Sequence, residues 1–248
     1  MTTGTTGILP VTRPRRPWYA LGFSFFLSLF FSLWFVFLIG RNLGLIFACF
    51  VLASVLAPLL VVAELDVRPR LSIMGGIVAA IAFVWLSFVF NDAITLWEWF
   101  RATLVLLIYT LAIAALAALL VRIRISPAVV VILCLAWLSW PIWLAPALRG
   151  RASAERIVAA LVAANPIFAI QGALLRSFPV PWAQYRIAYR LTNIGDDIPY
   201  QMPTTILWCV LLHGTVAVIA LLAAHWRWSA RNPARPEHPP ADQSPRST

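Results

Sequence analysis

The sequence predicts an all-α, polytopic membrane protein with six transmembrane helices and a re-entrant or interfacial helical hairpin between the fifth and sixth. Three observations predict it. The chain is 62% hydrophobic and 11% charged, with a mean hydropathy of +0.87, whereas a soluble domain is about half apolar and about a quarter charged. The apolar excess falls in runs of about twenty residues, the length that crosses ~30 Å of hydrocarbon at ~1.5 Å per residue. The charges, a net +10 carried by arginine without any lysine, sit in the gaps between those runs. A nucleic-acid surface would gather them on a soluble face with interleaved aromatics, so no nucleic-acid partner is expected, and the bilayer is the first partner of the chain.

The elements follow in order. Residues 1–17, "MTTGTTGILPVTRPRRP", are rich in Thr, Gly, Pro and Arg and predict a disordered basic tail. The first span, residues 20–40, is too long for a signal-peptide core and ends without a small-x-small cleavage site. Trp18 and Tyr19 stand before it, suited to the headgroup level. The second span, 43–63, follows after only "RN" and makes a tight hairpin with the first. "ELDVRPR" leads to the third, 71–90, and "NDAITLWEWFR", with Trp97 and Trp99 suited to an interface, leads to the fourth, 102–121. The fourth is Ala/Leu-rich, which favours close helix contacts. The fifth, 128–148, contains "WLSWPIWLAP", where Pro141 and Pro146 kink or end the helix and Trp140 and Trp143 point to the outer interface. The sixth, 204–224, is closed by "HWRWSAR", and residues 229–248 form a proline-rich tail without structure. The transmembrane domain as a whole covers residues 18–228.

Arginines near span ends favour the cytoplasm. Over the short gaps before the fifth span, Arg13, Arg15, Arg16, Arg68, Arg70, Arg122 and Arg124 fall on one side of the alternating spans, and only Arg41 and Arg101 on the other. The N-terminus is therefore expected in the cytoplasm, with the chain multi-pass in the plasma (inner) membrane. The C-terminus depends on residues 155–176, "ERIVAALVAANPIFAIQGALLR". Pro166 removes a backbone donor and clashes with the preceding turn, and it pushes Asn165 out of helical geometry. Asn165 is also costly at mid-bilayer unless protein surrounds it. A break at this pair that dips or lies on the surface leaves six crossings and a cytoplasmic C-terminus; a straight crossing gives seven. The polar chemistry favours six. The aromatic, basic and proline-rich stretch from Phe178 to Pro203 then reads as an external interfacial loop.

The candidate functional residues are Asn165, Pro166, His213, Glu64 and Asp66. His213, in "WCVLLHGTVAV", is an ionisable group at mid-span and so a functional candidate, although a neutral imidazole bonded to a neighbouring helix satisfies it structurally. It lacks a His or carboxylate three or four residues on with which to hold a metal. Glu64 and Asp66 lie beside Arg68 and Arg70, either as local ion pairs or as a contact for a cytoplasmic partner. Asp196-Asp197 reads as a turn or cap rather than a metal site, and Cys49, Cys134 and Cys209 as buried small residues. His225 falls at the inner interface and His238 in the tail. HExxH, GxSxG, a phosphate-binding loop and paired membrane aspartates are all missing from the sequence. No catalytic residue, metal or cofactor is expected, and the chain is not expected to be an enzyme.

Six spans, "NPIFAIQGALL" after the fifth and the basic "HWRWSAR" after the sixth resemble the membrane (permease) subunit of type-2 ATP-binding-cassette exporters. The architectural likeness covers about Ala20 to Arg231. It departs from that pattern in "TTGILPVTRPRRP", which cannot form an amphipathic helix, and in the short "ELDVRPR" where such permeases meet their ATPase. The resemblance implies a permease-like transport component driven by a separate ATPase subunit and working as a homo- or heterodimer. The alternative is a non-catalytic membrane scaffold or assembly protein.

Overall fold

A computed structural model describes residues 17–39, 43–62, 67–122, 125–148, 154–174 and 203–231. Glu64, Asp66, Asp196, Asp197, His238, most of both expected tails and most of the expected external loop lie outside these residues. The described residues are all helix and short turns, with no strand among them. The helices are α1 (Pro17–Ile39), α2 (Leu43–Val62), α3 (Val67–Phe90), α4 (Leu96–Arg122) and α5 (Pro127–Leu138). They continue as α6 (Trp140–Leu148), α7 (Ala154–Ala164), α8 (Pro166–Leu174) and α9 (Leu207–Arg231). By length and composition, four of them (α1, α3, α4 and α9) are long and apolar enough to cross a membrane, or five crossings if the bent pair α7–α8 counts as one. The apolar parts of α2 and α5 are shorter.

Small residues bring the helices together. On α1, Ser24, Ser28 and Ser32 recur every fourth residue, which places them on one face, and all three are fully buried. That helix lies mainly along α3, where Gly76 comes up against Ser24. Along α9, Ala217 and Ala220 pack on Ala112 and Ala115 of α4, a second small-residue seam of the kind that lets helices approach in lipid. Between these seams, Phe50 of α2 stacks on Trp85 of α3 at 6.1 Å and meets Tyr109 of α4 at 5.6 Å, so the centre of the bundle is aromatic.

The α3–α4 turn shows how two long helices can be joined by five residues. Asp92 takes a left-handed φ of 52°, and the Ala93 amide donates back to the Phe88 carbonyl at 2.9 Å, closing α3. Thr95 then caps α4: its hydroxyl accepts from the Glu98 amide at 3.2 Å, while the Glu98 carboxylate accepts from the Thr95 amide at 2.8 Å. This reciprocal pair is the Thr-x-x-Glu capping box, written plainly in "TLWE". It starts α4 six residues earlier than the apolar run alone indicates. Trp97 is exposed there, whereas Trp99 turns inward and donates its indole N–H to the Ala82 carbonyl at 2.9 Å.

The expected fifth span is not one straight helix. It breaks at Ser139 into α5 and α6, two residues before Pro141, whose missing N–H cannot continue the ladder. Trp140 does not reach outward as expected. It is 1% exposed, packed on Phe168 with ring centroids 6.0 Å apart, because the break turns it against α8. Trp143 is exposed, and its indole donates to the Ala136 carbonyl at 2.8 Å.

Candidate functional site

Pro166 ends α7 and begins α8, and the chain bends by 78° from the first arm to the second. Asn165 is the single non-helical residue between them. Its amide still donates to Leu161 at 2.9 Å and its carbonyl already accepts from Ala169 at 3.0 Å. Its side-chain oxygen accepts from the Ile167 amide at 2.9 Å. Asn165 is therefore the N-cap of α8, with Pro166 at the first helical position where a missing donor does no harm. The expected cost of a buried asparagine is met locally.

The rest of that cost is met across the fold. The Asn165 side-chain nitrogen, Nδ2, donates to the Trp137 carbonyl at 2.8 Å. That carbonyl is free because its usual partner four residues on would be the nitrogen of Pro141, which has no hydrogen. Two proline breaks, in α5–α6 and α7–α8, thus satisfy one another: one orphans an acceptor and the other places a donor on it.

Trp137 also reaches the second sequence candidate. Its indole N–H donates to His213 Nε2 at 3.3 Å. His213 Nδ1 lies 2.8 Å from the Cys209 carbonyl, which can only accept, so Nδ1 carries the proton and Nε2 is the acceptor. The imidazole is neutral in this arrangement, since a second proton would set two N–H groups against each other. Tyr109 meets the same ring edge-on at 5.3 Å and shares a 2.8 Å hydrogen bond with Ser54. Ser54 in turn donates to the Phe50 carbonyl at 2.7 Å. Two hydrogen-bonded groups, Phe50–Ser54–Tyr109 and Cys209–His213–Trp137–Asn165, thus meet at the Tyr109–His213 ring contact, and together they form a polar path from α2 through α4, α9 and α5 to the α7–α8 corner.

The two sequence candidates, the Asn165–Pro166 pair and His213, are joined by one residue that the sequence did not single out. Trp137 carried only the signal of standing four residues before a proline. Tyr109 and Ser54 carried none, because a polar residue inside an apolar run announces burial and not its partner. Glu64 and Asp66 lie outside the described residues, and His225 is exposed near the end of α9. The three cysteines are buried free thiols.

Chemically the path positions groups without activating them. Cys209 Sγ lies 3.5 Å from His213 Nδ1, but that nitrogen already directs its proton to a carbonyl and cannot act as base towards the thiol. Among the described residues, no three His, Cys, Asp or Glu side chains stand close enough together to hold a metal ion. Removing the indole donor tests the path directly. Trp137→Phe keeps one aromatic ring, loses the N–H-bearing half of the indole and orphans Nε2, and is expected to lower the unfolding free energy by at least about 1–2 kcal/mol. His213→Phe made in that background should cost less than His213→Phe alone, a non-additivity read by equilibrium unfolding in mixed micelles. Compared with protein-family models, with curated proteins and with solved structures, the chain finds no match.

Proposed function

We propose that the chain is the permease-like membrane subunit of a transport complex driven by a separate ATPase, with six crossings, α7–α8 dipping into the bilayer, and both ends in the cytoplasm at the inner membrane. The observation that carries this reading is the corner at Asn165. At ~1.5 Å per residue, α7 and α8 are about 16 Å and 14 Å long. Set at 78°, they reach roughly 23 Å end to end, short of the ~30 Å of a hydrocarbon core. Every described side chain of α8 except Gly172 is buried, and α7 buries only Ala154, Val158 and Val162 while Glu155 and Arg156 are exposed. A half-exposed arm followed by a sheltered arm suits a segment that enters and returns. Such a dip between the last two crossings is what the resemblance to type-2 exporter permeases implies, and the dimer and the ATPase partner come with that resemblance.

Sidedness tests the topology. Single cysteines placed at Arg151, Gln184 and Ser229 are challenged with a membrane-impermeant maleimide on intact and on permeabilised cells. Arg151 and Gln184 should react on intact cells and Ser229 only after permeabilisation. Arg151 and Gln184 on opposite faces would mean seven crossings and end the proposal. The transport role is tested by purification in mild detergent, which should co-isolate a nucleotide-hydrolysing subunit. A chain that purifies alone, with complex formation dependent on its arginine-rich tails, would point to the scaffold instead.

A further inference from the structure

A cavity of about 310 Å³ opens between α4, α5 and α9. Tyr109, Trp137 and His213 stand at it together with Leu116, Leu133 and Val216. The polar atoms of the first three are committed elsewhere. The Tyr109 hydroxyl is on Ser54, the Trp137 indole N–H is on His213, and His213 Nδ1 is on the Cys209 carbonyl. What faces the cavity is ring carbon, aliphatic side chain and the Cys134 thiol, a weak hydrogen-bonding group. Water held there would lack the two to four polar partners it needs, and an empty void of this size forfeits dispersion contacts along its whole lining.

The cavity is open on one side. Leu133 and Leu212 line it and are also exposed, continuing into the exposed outer faces of α5 at Ile132 and of α9 at Leu211. Both α4 and α9 are of membrane-crossing length and apolarity. The medium that reaches such a mouth is hydrocarbon.

The geometry points to a binding site for one acyl chain of a membrane phospholipid, lodged between α4, α5 and α9 with its end against Trp137 and His213. The headgroup takes no part in the cavity, since no free donor or acceptor stronger than a thiol lines it. A chain in it packs on Trp137, the residue that holds the Asn165 corner. This assignment needs only helices embedded in lipid; it stands or falls independently of the transport reading.

Labelling in nanodiscs tests it, with a phosphatidylcholine carrying a diazirine on one acyl chain. After illumination, label should appear on residues 133–137 and 212–216 at about fivefold the level on residues 218–222, of which all but Ala220 are exposed on the same helix. Val216→Phe and Leu116→Phe, which fill the cavity from two walls, should each lower the cavity label about fivefold and leave the 218–222 label unchanged. Equal labelling of the two α9 stretches in the unaltered protein would overturn the assignment, and needs no variant to fold. Cavity label that survives both filled variants would overturn it too. So would cavity label displaced by an added prenol but not by unlabelled phosphatidylcholine, which would give the site to a different ligand.

Discussion

Asn165→Leu is expected to lower the unfolding free energy by about 2–4 kcal/mol, more than an apolar substitution inside an apolar run would normally do. Loss of the N-cap oxygen from the Ile167 amide is worth about 1 kcal/mol. The Trp137 carbonyl, already deprived of its helical partner by Pro141, then has no donor, and a buried orphan costs about 1–3 kcal/mol. Leucine raises the hydropathy of the segment, so a purely compositional view forecasts the opposite sign. Equilibrium unfolding in mixed micelles checks the direction. Asn165→Ser provides the control: it keeps a cap acceptor and loses the donor to Trp137, and should fall between the leucine variant and the parent.

Gly76→Leu is expected to detach α1 from α3, with a loss of about 3 kcal/mol or more, at the upper end of overpacking effects. A Cβ at this position would collide with Ser24 Oγ and lie 2.7 Å from the Leu21 carbonyl and 3.0 Å from the Phe25 amide. The serine hydroxyl can turn away. The two backbone groups cannot move without shifting the whole of α1. Since α1 is the least buried of the four long apolar helices and leans chiefly on α3, little else retains it. Protease sensitivity of the α1 end in detergent, measured beside that of α9, should rise selectively. Equal sensitivity in Gly76→Leu and the parent protein would show that the seam does not hold α1.

How much of this was legible in the sequence differs from element to element. The helical character of α3 and α4 follows from apolar length alone, and the break at Asn165 follows from proline chemistry that acts within four residues. The capping box at Thr95 and Glu98 was also present in the letters, but a partly polar stretch between two spans reads first as a loop. Trp140 illustrates the limit. Its class favours interfaces, yet a break one residue earlier turned it inward onto Phe168. The pairing of the Pro141 and Pro166 breaks could not be read in advance. Each proline announces a missing donor or a turn, and which neighbour supplies the remedy depends on how two distant helices pack.

The cysteines have a practical consequence. Cys49, Cys134 and Cys209 sit on α2, α5 and α9, each shielded and each unpaired. Cys134 stands on the wall of the α4–α5–α9 cavity and Cys49 and Cys209 lie within the bundle, so a membrane-impermeant thiol reagent follows a single introduced surface cysteine without stripping out the native three. Under gradual denaturation the order in which the native sulfurs become alkylated then records which helix lets go first, an internal clock for disassembly that requires no engineering.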